Sequence, residues 1–311
     1  MRKKNVKIAI TGANGFVGRF VLSELAENKH RPIAFVWQHD GSDLPGASDI
    51  VEVDIGDGDA VHAAVEKAKP DACIHLAAVS FVPDGAGNPR LTFSVNVMGT
   101  VNVLEAFRRV SPEARIVVVS TAQVYGKCEP GRIVTEDAPL RPSHQYGISK
   151  TAADLLALNY ASDLGLRTMT ARPHNHIGPG QSTNFVVASF ARQMKEIADG
   201  KAEPRILVGN LESARYFTDV RDVARAYRLL IESGTPGRAY NISSRDAVRI
   251  VDVLETLCDL AGVRPRIEVD RSLFRPADNY PRLDTTRIEQ DIGWLPRIPL
   301  VTSLRDILEG A

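Results

Sequence analysis

Tyr146 and Lys150 lie four residues apart, and upstream of them an apolar run, Arg115 to Val119, ends in Ser120-Thr121-Ala122. On a helix, residues at that spacing share one face. A phenol titrates near ~10 in water, so alone it is a sluggish acid and a poor base at neutral pH. An ammonium group beside it favours the phenolate and moves its pKa toward the working range. A hydroxyl from Thr121 or Ser120 can hydrogen-bond the same substrate oxygen. Such a set moves a proton onto or off an alcohol/ketone pair and lacks only a source of hydride. Y-x-x-x-K is a short pattern that an ordinary surface helix also carries. The weight therefore falls on the elements that would position it.

The chain has 311 residues, enough for one large or two small domains, and its 44% hydrophobic and 24% charged residues fit a soluble globular protein. Lys+Arg and Asp+Glu both number 38, so no global charge attracts nucleic acid and any anion site must be local. Cys73, Cys128 and Cys258 are odd in number, far apart and without metal-ligand spacing, which points to a reducing cytosol, a cytoplasmic location and no bound metal. The apolar run after the basic start is too short for a signal peptide, and nothing approaches the ~20 apolar residues of a membrane span.

Val6 to Ile10 reads as a buried strand leading into Gly12-Ala13-Asn14-Gly15-Phe16-Val17-Gly18, with helical periodicity following through Phe20, Val21 and Leu25. Strand, glycine turn and helix is the context in which a backbone approaches a pyrophosphate at a helix N-terminus, although the spacing is one residue wider than G-x-G-x-x-G. The second strand, Ile33 to Trp37, ends in Gln38-His39 with Asp40 late, and Arg19 directly follows the last glycine. The lack of a well-placed acid beside that arginine favours the 2′-phosphate of NADP(H), with NAD(H) the alternative. A third strand, Ile50 to Val53, ends at Asp54-Ile55, placed to meet an adenine. A fourth, Ala72 to Leu76, ends in His75-Leu76-Ala77-Ala78, small enough for pyrophosphate and ribose to lie close; His75 reads as a packed histidine. A long helix from Leu91 to Arg109, the strand Arg115 to Val119 and a sixth strand, Arg167 to Ala171, complete an alternation that argues a doubly wound parallel sheet. Beyond Arg172 it weakens. A polar, turn-rich stretch (His174 to Thr183) precedes a helix from Phe185, an apolar run at Ile206 to Val208, and helices near 220–233 and 251–261. The expected organisation is a dinucleotide-binding domain over 1–173, with segments near 218–248 returning to it, and a smaller lobe over 174–217 and 249–311.

The chain resembles the extended short-chain dehydrogenases/reductases of the nucleotide-sugar branch. The resemblance rests on the 11–18 glycine loop, Asp54-Ile55, His75 to Ala78, Asn96-Val97-Met98-Gly99-Thr100, Ser120 to Gly126, Tyr146/Lys150 and Asp219-Val220-Arg221-Asp222-Val223. A narrower resemblance, to GDP-mannose 4,6-dehydratases and more closely to GDP-4-keto-6-deoxymannose reductases, is carried by Arg172 to Gln181, Asn184 to Gln193 and Val208 to Arg215. Two residues depart from that pattern: His174 stands where the family has phenylalanine, and Tyr216 where it has aspartate. The resemblance implies a Rossmann fold with a C-terminal substrate lobe and Thr121, Tyr146 and Lys150 as catalytic residues. It implies cofactor contacts from Gly12, Asn14, Gly15, Phe16, Val17, Gly18, Arg19, Asp54, Ile55, Leu76, Ala77, Ala78, Asn96, Tyr146, Lys150, Pro173 and His174. For a GDP-linked keto-sugar it implies Thr121, Gln123, Asn175, Val186, Arg192, Arg215 and Arg275, the last two clamping the diphosphate. It also implies a homodimer through helices, one of them bearing Ala152, Leu155, Leu156, Ala157 and Tyr160.

Dehydratases of this group place an acid two residues after the catalytic Ser/Thr, and here that position is Gln123. An amide cannot hold or release a proton near neutral pH. The expected reaction is therefore reduction of a 4-keto-6-deoxy sugar, hexose or heptose. A dehydratase with another acid, a nucleotide-sugar 4-epimerase, and a non-catalytic nucleotide-binding regulator are the alternatives.

Overall fold

A computed structural model describes residues 5–80, 88–129, 131–273 and 281–311. In chain order the first half comprises β1 (Lys7–Thr11), α1 (Phe16–Glu27), β2 (Arg31–Val36), β3 (Asp49–Glu52), α2 (Gly58–Ala68), β4 (Ala72–His75), α3 (Pro89–Phe93), α4 (Gly99–Val110), β5 (Arg115–Val119) and β6 (Ile133–Val134). Then follow α5 (Gln145–Ser162), β7 (Arg167–Pro173), β8 (Asn175–Ile177), α6 (Val186–Ala198), β9 (Arg205–Val208), β10 (Ala214–Asp219), α7 (Val220–Ser233), β11 (Ala239–Ile242), β12 (Ala247–Arg249), α8 (Ile250–Ala261), β13 (Arg266–Val269), β14 (Arg282–Leu283), α9 (Thr286–Ile292) and α10 (Leu300–Glu309).

Seven strands form one parallel sheet in the order β11-β7-β5-β4-β1-β2-β3. Its strands are apolar on both faces, as a sheet covered on both sides requires. Ile8, Ile10, Ile74 and Val117 join a core under α1 and α7. Ala9, Cys73, Ile116 and Val118 alternate into a second core under α2, α4 and α5. The chain winds outward from β1 to β2 and β3 on one side and then crosses over to β4 on the other side of β1, so the crevice at the carboxyl ends of β1 and β4 is the topological switch point where such sheets bind ligands. A third core, built from α6, α8, α10 and the short strands β9 and β10, lies beyond the main sheet. Among the described residues no helix is long and apolar enough to cross a membrane.

Two local readings change. The long helix expected from Leu91 is broken into α3, a π-helical turn at Ser94–Met98, and α4. At the break Gly99 lets Ile55 approach, since a Cβ there would lie 2.7 Å from Ile55 Cδ1. The stretch after Arg172, expected as turns, contains β8, paired in parallel with Phe217 to Asp219 of β10. Only Ile177 of its three residues is buried, so hydropathy carries no strand signal there.

Candidate active site

The glycine loop is built for close approach. Gly12 takes φ +69, and a Cβ on it would meet the Ala77 backbone at 3.0 Å. A Cβ on Gly18 would strike the Ala13 backbone. Gly15 is the N-cap of α1 and supplies no side-chain cap, which leaves the first-turn N–H groups of a 12-residue helix facing the crevice. These features fit a dinucleotide pyrophosphate at the switch point. They also open a cleft of about 1200 Å³ that runs from Trp37 at the glycine-loop end to Leu273 in the outer lobe.

Gly12, Asn14, Gly15, Phe16, Val17, Gly18, Asp54, Ile55, Leu76, Ala77, Ala78, Pro173 and His174 all line this cleft, as do Thr121, Gln123, Tyr146, Lys150, Asn175, Val186 and Arg215. Asp54 is the one acid on its wall among the described residues, and Lys150 and Arg215 are cations there.

Tyr146 and Lys150 occupy the first turns of α5, whose N-terminus is capped by His144 Nδ1 accepting from Gly147 N–H at 3.1 Å. Thr121 begins the short 3-10 turn at Ala122–Tyr125 and accepts from Gln123 N–H at 3.3 Å. Burial pushes Tyr146 up to about 12, against the opposing effect of its hydrogen bond with Thr121. Burial pulls Lys150, 3% exposed, down to about 8, partly offset by Asp154. The sequence led us to expect Lys150 to draw Tyr146 down. Here burial sets the balance against the Thr121 hydrogen bond, and the phenol stays protonated at neutral pH.

Behind the wall two buried networks hold these groups. Arg172 donates from Nε and Nη2 to the two oxygens of Asp154, each at 2.8 Å, and from Nη1 to Tyr125 Oη at 2.9 Å. That pair ties α5 to β7 and to the turn carrying Thr121. The second network centres on Asn96 in the π-turn. Its Oδ1 accepts from Val79 N–H at 2.8 Å, and its Nδ2 donates to Ser149 Oγ at 2.9 Å. Ser149 in turn donates to the Tyr146 carbonyl at 2.8 Å. Asn96, expected at the cofactor, is thus a buried brace and does not line the cleft. His75 is closed in as well: Thr11 Oγ1 lies 2.7 Å from its Nδ1 and Thr100 Oγ1 3.0 Å from its Nε2, and burial holds it down at about 3. Thr100 donates to Asn96 O at 2.7 Å, so it accepts from His75 Nε2–H, leaving Nδ1 to accept from Thr11.

Other expected residues fall elsewhere. Arg192 projects from the outer side of α6, 54% exposed and 4.0 Å from Glu196, because Val187, Phe190, Ala191 and Met194 occupy that helix's inner face. Arg19 is exposed and donates to Asn14 O at 3.3 Å, beside the cleft and not on its wall. Arg275 lies outside the described residues. The two departures from the resembled pattern touch each other: the rings of His174 and Tyr216 stack at 4.8 Å, and His174 Nε2 donates to Pro281 O at 2.9 Å.

Among the wall residues not expected from the sequence are Trp37, His176, Gln181 and Tyr227. His176 stacks on Phe16 with centroids 6.3 Å apart. Tyr227 is wholly buried on α7, and its hydroxyl has no partner among the described residues. Of these, Trp37 alone carries a sequence signal, since it stands at the end of the second strand, where a ribose-binding acid is usual.

Comparison with known proteins adds to this geometry. The sequence profile of the GDP-mannose 4,6 dehydratase family matches residues 9–307. A GDP-6-deoxy-D-mannose reductase of Pseudomonas aeruginosa is 35% identical over 305 residues, spanning 97% of this chain and 96% of that protein. A solved structure of the RMD protein of Pseudomonas aeruginosa complexed with NADPH superposes with a TM-score of 0.86 at 32% identity, covering 98% of both chains. The Thermus thermophilus UDP-glucose 4-epimerase complex with NAD gives 0.86 at 26% identity, again over 98% of each.

Proposed function

Because the chain belongs to the GDP-mannose 4,6-dehydratase family of NAD(P)-dependent nucleotide-sugar enzymes, we propose that it reduces the C4 ketone of a GDP-linked 4-keto-6-deoxy sugar, with NADPH favoured as reductant. The observation that carries this reading is Gln123. It stands on the cleft wall in the position of the dehydratase acid, and its Oε1 is buried without a partner among the described residues. An amide there hydrogen-bonds a sugar hydroxyl but cannot pull a proton from C5 or deliver one to a departing hydroxyl. The relative that reduces a GDP-6-deoxy sugar and the NADPH-bound structural neighbour support the same side.

The dinucleotide would be held by Gly12, Gly15 and Gly18 against the α1 N-terminus, with Asp54 and Ile55 toward its adenine, and when bound it supplies hydride to C4. The protein's own groups handle the proton. Tyr146, held protonated by burial, gives its proton to O4 as the C4–O4 double bond becomes a single bond. Thr121, already oriented by Gln123 N–H, hydrogen-bonds the same oxygen. The Lys150 ammonium stabilises the tyrosinate left behind and supports its reprotonation. Arg215 faces the same cleft and suits a diphosphate through its planar guanidinium.

The direct test supplies GDP-4-keto-6-deoxymannose with NADPH and then NADH, following absorbance loss. Oxidation of NADPH is expected. If neither nicotinamide is oxidised while GDP-mannose alone is turned over, the Gln123 argument is wrong. The reading includes a homodimer through α5, where Ile148 is 43% and Leu155 53% exposed while Ala157 and Tyr160 turn into the core. Sedimentation at micromolar concentration should give twice the chain mass.

A further inference from the structure

Trp37 is 68% exposed, yet it is no stray surface residue, since it stands on the cleft wall directly after β2. The backbone around it is pinned on both sides. Phe35 O accepts from Gly12 N–H at 2.9 Å, and Val36 O accepts from Val53 N–H at 2.7 Å. Asn14 Nδ2 donates to Gln38 O at 3.0 Å, and His39 N–H donates to Glu52 Oε1 at 2.7 Å. The backbone that carries the indole is therefore held between the glycine loop and the Asp54-Ile55 corner. Ile33 and Phe35, which precede it at alternate positions, pack with Val53 and Ile55 in one core, and Trp37 is the next residue in that alternation.

The acids close to it in sequence are engaged elsewhere. Asp40 Oδ1 accepts from Ser42 N–H at 2.9 Å, and Glu52 holds His39. Neither reaches the cleft wall. The end of β2 thus presents an aromatic face, and no carboxylate, to whatever lies between the glycine loop and Ile55.

We infer that Trp37 is the platform on which the adenine of the dinucleotide stacks, taking over with its indole face the anchoring that a ribose-binding acid would otherwise provide. A purine covers an indole face fully, and base–aromatic stacking tolerates any base because each has a π-face. The inference rests on the dinucleotide reading of the cleft, and it extends that reading to a residue and to one end of the ligand.

The protein contains two tryptophans, and the other, Trp294, is 0% exposed in the core. Emission from an exposed and a buried indole differs in wavelength, so Trp37 reports on its own surroundings. Titration with 5′-AMP and with 2′,5′-ADP, which carry adenine but no nicotinamide, should quench the long-wavelength component and leave Trp294 emission in place. Trp37→Ala should abolish that signal and weaken NADPH, followed through its own fluorescence, by about 10- to 100-fold, with Trp37→Phe losing less. Because the side chain is exposed, both variants should keep the native melting temperature. Unchanged NADPH affinity in Trp37→Ala overturns the assignment while the cofactor reading stands. Failure of the unaltered protein to bind NADPH or NADH overturns both.

Discussion

At the scale of single residues, the proton chemistry is set by two opposed displacements with one cause. Burial disfavours charge, so it raises the neutral acid Tyr146 to about 12 and lowers the cationic acid Lys150 to about 8. Reduction needs a protonated Tyr146 and a charged Lys150. Below about 8 both conditions hold, and as pH rises through 8 Lys150 loses its proton first. The rate of ketone reduction, measured as kcat against pH, should be flat on the acid side and fall tenfold per unit above about 8. Tyr146→Phe should lower kcat by roughly 10² to 10⁴ with NADPH affinity unchanged, the range a positioned general acid contributes. Gln123 makes a second residue-scale prediction. Gln123→Glu preserves shape but introduces a base beside the acidic C5–H of the keto-sugar. Incubated in D₂O without reductant, the variant should wash deuterium into C5, as followed by mass spectrometry, while the unaltered protein should not. Exchange by the unaltered protein would place a competent base elsewhere in the pocket.

At the scale of elements, the buried pair Arg172–Asp154 decides how α5 meets β7 and the Thr121 turn. Asp154→Asn leaves a buried guanidinium without its counter-charge, which should cost about 3–5 kcal/mol in chemical denaturation. It also removes the carboxylate that raises Lys150, so the alkaline fall in kcat should move to lower pH. A purely structural role for the pair would lower stability without moving that limb. How much of this was legible in advance follows from which elements leave a mark in hydropathy. The parallel strands read as unbroken apolar runs because both faces are covered, and the glycine loop stood out because Gly12 needs a left-handed backbone beside Ala77. Tyr146, Lys150, Thr121 and Gln123 were reached from spacing and resemblance, and the fold brings them to one cleft. The brace at Asn96 was not visible, because a π-turn of five residues inside a helical stretch is too short to leave a hydropathy period of its own. The outward turn of Arg192 depends on which face α6 buries. The contact of His174 with Tyr216 joins segments that only the pairing of β8 with β10 brings together. Nor could spacing reveal that burial raises Tyr146, since burial belongs to the assembled sheet and not to the helix.

At the scale of the whole molecule, the cleft lies where the main sheet meets the outer core, and burial closes in one histidine behind its wall and another on it. His75 sits at the end of β4 and His174 follows β7, and burial lowers them to about 3 and about 4 from an ordinary value of 6.5. Neither has a carboxylate among its hydrogen-bond partners: His75 is held by two threonine hydroxyls and His174 by a carbonyl. The sign follows from proton counting. Between pH 6.5 and 4 the unfolded chain binds a proton at each of these positions and the folded chain does not, so falling pH favours the unfolded state. Their contribution is fully present above pH 6.5 and declines below it. Taking the protein from pH 7.5 to 5.5 should therefore remove about 1.4 kcal/mol for each histidine, or about 3 kcal/mol for the two. Calorimetric unfolding at pH 5.5 in buffers of different ionisation enthalpy should show proton uptake that includes about one proton from each of this pair, beside that of His176, which burial also lowers. His75→Asn should eliminate about one of them, and His174→Phe, which restores the residue usual at that position, should eliminate the other. An unfolding enthalpy independent of buffer at pH 5.5 would mean that the folded protein already carries those protons, and that its cleft is wetter than the packing around Thr11, Thr100 and Tyr216 allows.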